Sequence, residues 1–305
     1  MNNNNDKDYE SGVISVTELI IFLWKKKILI FFTTIFFVAF TVFWSLNLED
    51  KYTSTTLLMV NETSSSKLSK PENQLGGGIA SLLGGGLTGS AVDQKTYAIE
   101  TIKSRVFIES IADTAGVMEK VMAAKSYSKS SEEIHFNEDI FNVNDSKWIE
   151  GKPSNNDFYN SFLSDFRISR DETGFIKMTY IHQSPIFAKD MLNLIIEKLN
   201  RQIKLEDLNN AENAINYLVD ILNSTQQMEI RQSVNNLIEE NMKIKVLANI
   251  NEFYLLKPLD PPFVPEFKTY PARTLMVLLG LIAGLIFSIS GLIIKRYIFS
   301  NRGII

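Results

Sequence analysis

Two uncharged apolar runs near opposite ends of the chain constrain its fold more than any other feature. The first, "ILIFFTTIFFVAFTVFWSL" (28–46), has 19 residues, and the second, "TLMVLLGLIAGLIFSISGLII" (274–294), has 21. As a helix the first would be about 28 Å long. Both suit a hydrocarbon core of roughly 30 Å and exceed what a buried helix of a soluble domain needs. The first run is too long for the apolar part of a signal peptide, its charged start lies 27 residues in, and no A-x-A-like site follows. It is therefore expected to remain as an anchor.

The flanks predict orientation. Lys25, Lys26 and Lys27 precede the first run, and Lys295, Arg296 and Arg302 follow the second, against Lys51, Lys268 and Arg273 at the other ends. Basic residues concentrate on the cytoplasmic side, so both termini are expected there. The 227 residues between the runs (47–273) would then face the periplasm or its equivalent.

Composition excludes several classes of function. A net charge of −4 leaves no basic stripe for nucleic acid. With no cysteine, disulfides, thiol redox chemistry and thiolate metal sites are absent. His135 and His182 are the only histidines, too few for a His-rich metal centre.

One segment imitates a nucleotide site. Within "LGGGIASLLGGGLTGS" (75–90), Gly84, Gly86 and Gly89 satisfy GxGxxG, and Glu109 follows 20 residues later. A dinucleotide fingerprint, however, needs an apolar strand running into its first glycine, and a P-loop needs Lys-Ser/Thr after its last. Neither is present, and the predicted topology places these glycines away from cytoplasmic nucleotide pools. The segment reads as a flexible apolar loop.

The intervening region has a readable order. "YTSTTLLMV" (52–60) is predicted as a strand, followed by a low-complexity loop over 61–92. From Asp93 to Gly116 the pattern predicts one helix with Ile99, Ile102 and Val106 on one face. Residues 125–157 are polar and punctuated, a loop or weak element around Trp148. "DFRIS" and "FIKMTYIH" predict two strands around the turn "RDETG". His182 ends the second strand, where a structural hydrogen-bonding role is expected. Ser184 then N-caps a helix whose first turn holds Pro185.

That helix carries a long stripe: Leu192, Ile195, Ile196, Leu199 and Ile203, then Leu208, Ala211, Ile215, Leu218 and Leu222. After "NSTQQ" the spacing resumes with Ile230, Val234, Leu237, Asn241, Ile244 and Ala248. These are coiled-coil seams, about 55 Å for 186–222 if unbroken. The stripe suits a helical hairpin or packing against another subunit. Asn241 is either a polar register pin or simply exposed.

The segment returning to the second apolar run, "KPLDPPFVPEFKTYPAR" (257–273), contains five prolines, Pro262, Pro265 and Pro271 among them. It can form neither a helix nor a central strand and is expected to run extended, as a strut or a simple linker. In the second run Gly280, Gly284, Ser288 and Gly291 are predicted to line one face with small residues, permitting close helix approach. No GxSxG elbow, metal-ligand spacing or spaced carboxylate pair occurs, and adjacent pairs such as Glu239-Glu240 point in different directions on a helix. No catalytic residue, metal or cofactor is expected.

Taken in order, these features resemble the polysaccharide co-polymerases of the Wzz type, the chain-length determinants of O-antigen and related surface polysaccharides. The resemblance rests on "ISVTELIIFLWKKKILI", "YAIETIKSRVFIESI", "TGFIKMTYIHQSPIFAKDMLNLIIEKLN" and "EIRQSVNNLIEENMKIKVLANINEFYLLKPLDPPFVPE", then on Pro262, Pro265, Pro271, Gly280 and Gly284. Two departures stand out: Tyr270-Pro271-Ala272-Arg273 replaces the family's Ser-Pro-Lys, and the hairpin is shorter than in the longest members. The resemblance implies an α+β membrane protein in which two spans bracket a periplasmic α/β base domain bearing a long helical hairpin. The expected divisions are 1–27 cytoplasmic, 28–46 span, 47–184 base, 185–252 hairpin, 253–273 return, 274–294 span and 295–305 tail. It further implies a ring-like homo-oligomer acting, without catalysis, beside an integral-membrane polymerase and the growing polysaccharide. Two alternatives stay open: activation in trans of a separate tyrosine kinase, none being expected in cis, and membership of an export complex.

Overall fold

The computed structural model describes residues 16–61 and 94–300. The glycine-rich loop 75–90 and residues 301–305 lie outside the described residues. The chain divides into two compact units, one formed by its two ends (to Glu49 and from Tyr270) and one by Asp50–Thr269.

The end unit contains α1 (Val16–Lys25), α2 (Lys27–Leu46) and α9 (Arg273–Ser300). The first two meet at Lys26, whose φ of −103° and ψ of 15° interrupt the helix. The Lys27 ammonium lies 5.6 Å from the centre of the Trp24 ring. Lys27–Leu46 and Arg273–Lys295 are long and apolar enough to cross a membrane. Most of their large side chains face outward, Phe36, Phe43 and Phe287 among them, as lipid-facing surfaces require.

The middle unit is built on a four-stranded antiparallel sheet, ordered β6-β7-β1-β8, from β1 (Tyr52–Val60), β6 (Phe166–Arg170), β7 (Ile176–His182) and β8 (Leu256–Asp260). Tyr52 pairs with His182 and Leu58 with Ile176. β1 alternates strictly, burying Tyr52, Ser54, Thr56, Leu58 and Val60, as a strand inside a sheet must. The predicted turn closes with Gly174 at φ +83°, while the Asp171 carboxylate accepts from the Phe175 N–H at 2.7 Å. Helix α7 (Pro185–Ser224) begins as expected: the Ser184 hydroxyl accepts from the Phe187 N–H at 3.2 Å. Its first half buries Leu192, Ile195, Ile196, Leu199 and Ile203 in the core beside Leu58, Ile176, Met178 and Tyr180. After a short connection, α8 (Met228–Ile250) runs back and packs on α7.

One expectation needs correction. The single helix over 93–116 is two, α3 (Gln94–Lys103) and α4 (Arg105–Ala112). Ser104 breaks it, adopting extended geometry (φ −65°, ψ 147°) so that its hydroxyl accepts from the Phe107 N–H. Serine favours such capping over a helix interior. The register restarts, so Val106 is 74% exposed while Phe107, Ile108 and Ile111 are buried. Residues 125–157 are, as expected, mostly turn and loop with weak elements around Trp148. After α5 (Val117–Ala123) come two small hairpins, β2 (Ala124–Ser128) with β3 (Glu133–Phe136), and β4 (Phe141–Asn142) with β5 (Lys147–Trp148). Phe141 joins them, its ring 5.7 Å from Phe136 and 5.1 Å from Trp148. Helix α6 (Asn155–Asp165) follows, started by a capping box between Ser154 and Asp157.

Candidate functional site

The two apolar helices meet along a face of small side chains. On α9, Gly280, Gly284, Ser288 and Leu292 recur every four residues and are all buried. A Cβ on Gly284 would stand 3.0 Å from the Phe37 Cβ and 3.2 Å from the Thr34 Cα, and one on Gly280 would collide with the Thr41 side chain. Without methyl groups at these two positions the backbones approach closely, which is how helices gain packing energy where no hydrophobic effect acts between them. The hydroxyls of Thr33 and Ser288 hydrogen-bond at 2.7 Å, and Phe37 lies 5.3 Å from Phe287. Gly291 is not packed in this contact: it is exposed, with nothing within 4 Å of a Cβ. By helical angle Gly291 falls on the same side of α9 as Gly280 and Ser288, but no neighbouring group reaches it, so it takes no part in the close approach. The answering groove, Thr33, Thr34, Phe37 and Thr41, was not singled out in the sequence. Its signal was three threonines, Thr33, Thr34 and Thr41, in a largely apolar run, their hydroxyls answered inside their own helix, as Thr34 is by the Ile30 carbonyl at 2.8 Å.

The proline-rich return is held to the sheet by side chains. Pro258 lies in β8, an edge strand, where a missing N–H is tolerated. Beyond it the chain runs without helix or strand through Thr269. Pro262 and Pro265 are buried. Two buried hydroxyls on β1 take the place of ladder hydrogen bonds: Thr56 donates to the Asp260 carbonyl and Ser54 to the Phe263 carbonyl, each at 2.7 Å. At the far end the Thr269 N–H donates to the Lys51 carbonyl at 2.9 Å, and Lys268 pairs with Asp50 at 3.0 Å. Pro271 is half-buried, in the end unit.

The hairpin stripe changes character along its length. Above Ile203, Leu208, Ile215 and Leu222 are half-buried and Ala211 and Leu218 buried on α7; Val234 and Ala248 are buried on α8, with Ile230, Leu237 and Ile244 between them half-buried. Lys245 reaches across to Glu212 at 3.6 Å. Ile215, Leu218 and Leu222 thus lie on the stripe along which α7 and α8 of one chain pack. Asn241 is half-buried, and its amide donates to the Leu237 carbonyl of its own helix at 2.8 Å. Arg231 closes the tip, donating to the carbonyls of Leu222 at 2.5 Å and Thr225 at 3.0 Å, groups that a helix C-terminus leaves without partners.

Sequence reasoning missed the polar clamp at the base of the hairpin. Asn200 is buried among apolar neighbours; its Oδ1 accepts from the N–H groups of Leu255 and Leu256 at 2.7 and 2.8 Å. Tyr254 donates to the Asp207 carboxylate at 2.6 Å, and burial together with that bond raises its hydroxyl pKa well above the ordinary value. His182, buried, accepts at Nδ1 from the Ser184 N–H at 3.0 Å. Its Nε2 therefore carries the proton and donates to the Lys120 carbonyl at 2.9 Å. Burial lowers its pKa to about 4, so the ring is neutral near pH 7. Among the described residues no group of three or more His, Asp or Glu side chains is placed to hold a metal ion.

The architecture defines a class: a mixed helix-and-sheet protein with two membrane-type helices at its ends and one long helical hairpin. Residues 12–115 match the family model of Wzz, described as chain length determinant protein. The resemblance to the Wzz-type family is shown over that stretch, which takes in α1, α2, β1, α3 and α4. Among solved structures, a full-length bacterial polysaccharide co-polymerase is 12% identical with a TM-score of 0.42, over 95% of this chain and 100% of that one. No curated protein matches the chain.

Proposed function

We propose that this protein is a non-catalytic regulator of surface polysaccharide chain length. It resides in the bacterial inner membrane with both termini cytoplasmic and the unit 50–269 in the periplasm. It acts as a ring-like homo-oligomer beside an integral-membrane polymerase that extends the growing polysaccharide. The observation that carries this reading is the match of residues 12–115 to the chain length determinant family. The packed helix pair and the basic flanks at 25–27 and 295–296 support the membrane topology. The small-residue face of α9 is filled by α2 of the same chain, so subunits would associate through other surfaces. The hairpin stripe holds α7 on α8, leaving Tyr217, Met242, Val246 and Ile250 exposed for a neighbouring subunit.

The test is a gel profile of surface polysaccharide from strains lacking and carrying the gene. A modal length cluster that disperses on deletion and returns on complementation is expected. Loss of all polymer instead would replace this reading with export or kinase activation.

A further inference from the structure

We propose that Phe263, Val264 and Phe267 form an interfacial anchor that inserts into the headgroup–acyl boundary of the bilayer crossed by α2 and α9, and fixes the proline-rich return on the lipid surface. This rests on reading α2 and α9 as membrane spans.

The segment has two sides. Pro262 and Pro265 are buried against the middle unit, while Phe263, Val264 and Phe267 point away from it, 51%, 42% and 81% exposed. Three large apolar side chains held out within five residues form a patch that water alone does not explain. The backbone beneath them is pinned by the Ser54 and Thr56 hydroxyls, by Lys129 Nζ donating to the Glu266 carbonyl at 3.3 Å, and by the Thr269–Lys51 bond. Fixed prolines and these bonds display the patch at little further cost in chain entropy.

Chain continuity makes the bilayer the occupant. The strands leaving the unit toward the two spans are clasped together by Lys268 on Asp50 and Thr269 on Lys51. Six residues of chain, extending to at most ~20 Å, tie Phe267 to Arg273 at the start of α9. Aromatic side chains suit the membrane–water interface, and apolar groups there settle about 5–10 Å into it. Glu266, exposed between them, would keep its carboxylate in the hydrated headgroup layer.

The chain contains no cysteine, so single replacements of the full-length protein can carry an environment-sensitive fluorophore. The proteins Phe267→Cys, Ile286→Cys (on α9) and Met228→Cys (at the hairpin tip) would be labelled. Each is reconstituted in vesicles of phosphatidylethanolamine and phosphatidylglycerol, some doped with lipids spin-labelled high on the acyl chain or near its end. The expected result is blue-shifted emission at 267, lost chiefly to the shallow spin label; loss to the deep label at 286; and loss only to aqueous iodide at 228. Emission at 267 matching that at 228 would overturn the anchor. So would a 267 label shielded from both iodide and lipid, since a protein would then cover the patch. A 286 label untouched by lipid would remove the spans themselves, and the proposal with them. Val264→Cys repeats the test should the Phe267 variant fail to accumulate.

Discussion

The side-chain amide of Asn200 holds the backbone of Leu256 at both of its polar groups: Oδ1 accepts from the Leu256 N–H and Nδ2 donates to its carbonyl, each at 2.8 Å. The long helix α7 is thereby tied to the first residue of β8, where the chain leaves the hairpin and rejoins the sheet. Asn200→Ala would leave the buried N–H groups of Leu255 and Leu256 without acceptors. Each such group costs about 1–3 kcal/mol. The variant is expected to lose about 3 kcal/mol, read as a lower unfolding temperature of the full chain in detergent, and Asn200→Asp should be destabilised too, because it sets a buried carboxylate oxygen against the Leu256 carbonyl.

The glycines of α9 make a paired prediction. Gly284→Leu forces the helices apart against the Thr34 backbone, an overpacking cost of about 1–3 kcal/mol. It is expected to destabilise the detergent-solubilised protein and to broaden the polysaccharide length distribution. Gly291→Leu meets open space and should do neither. Equal behaviour of the two variants would show that the face is not where the helices meet.

His182 predicts a pH dependence with a definite sign. Its folded pKa of about 4 lies below the ordinary 6.5, because burial disfavours the imidazolium. The stability it contributes is therefore complete above pH 6.5 and lost progressively as pH falls toward 4. The span corresponds to a loss on the order of 3 kcal/mol. His182→Gln removes the titration, so the stability gap between wild type and variant should narrow or reverse over that window in chemical denaturation. A gap constant with pH would mean that the ring is not buried in neutral form.

Ser54 and Thr56 are predicted to matter through the return segment they hold. Thr56→Val preserves shape but leaves the Asp260 carbonyl without its hydroxyl donor, at a cost of about 1–3 kcal/mol. Proteolysis of the full chain should then cut more readily within 259–269 than in the wild type, with the hairpin unaffected.

The two halves of the predicted 93–116 helix can be told apart by polar substitution. Val106→Ser should be within ±0.5 kcal/mol of wild type, as surface changes usually are. Ile108→Ser, at a fully buried position, should cost several times more. Thermal unfolding of both variants measures the difference.

How much of this was legible depended on how far apart the interacting residues stand in the chain. The spans, the Ser184 cap, the strands flanking "RDETG" and the two-helix stripe could be read because each is a property of neighbouring residues. Hydropathy summed over twenty positions, a cap three residues from its partner, and apolar spacing of three and four need no knowledge of the rest of the fold. The break at Ser104 was misread because a serine there suits either a helix surface or a cap, and burial of Phe107 and Ile108 chose between them.

The chain alone therefore determined where the two hairpin helices and the membrane-type segments lie and which stripe of the hairpin is apolar. Only the tertiary structure decided which groups meet. Asn200 finds Leu256 across 56 positions, and Thr33 finds Ser288 across 255. It also separated Gly280 and Gly284, which admit a neighbouring helix, from Gly291, which faces open space. Hydropathy and propensity are local sums, whereas a buried polar group is stable only where a distant partner arrives to satisfy it.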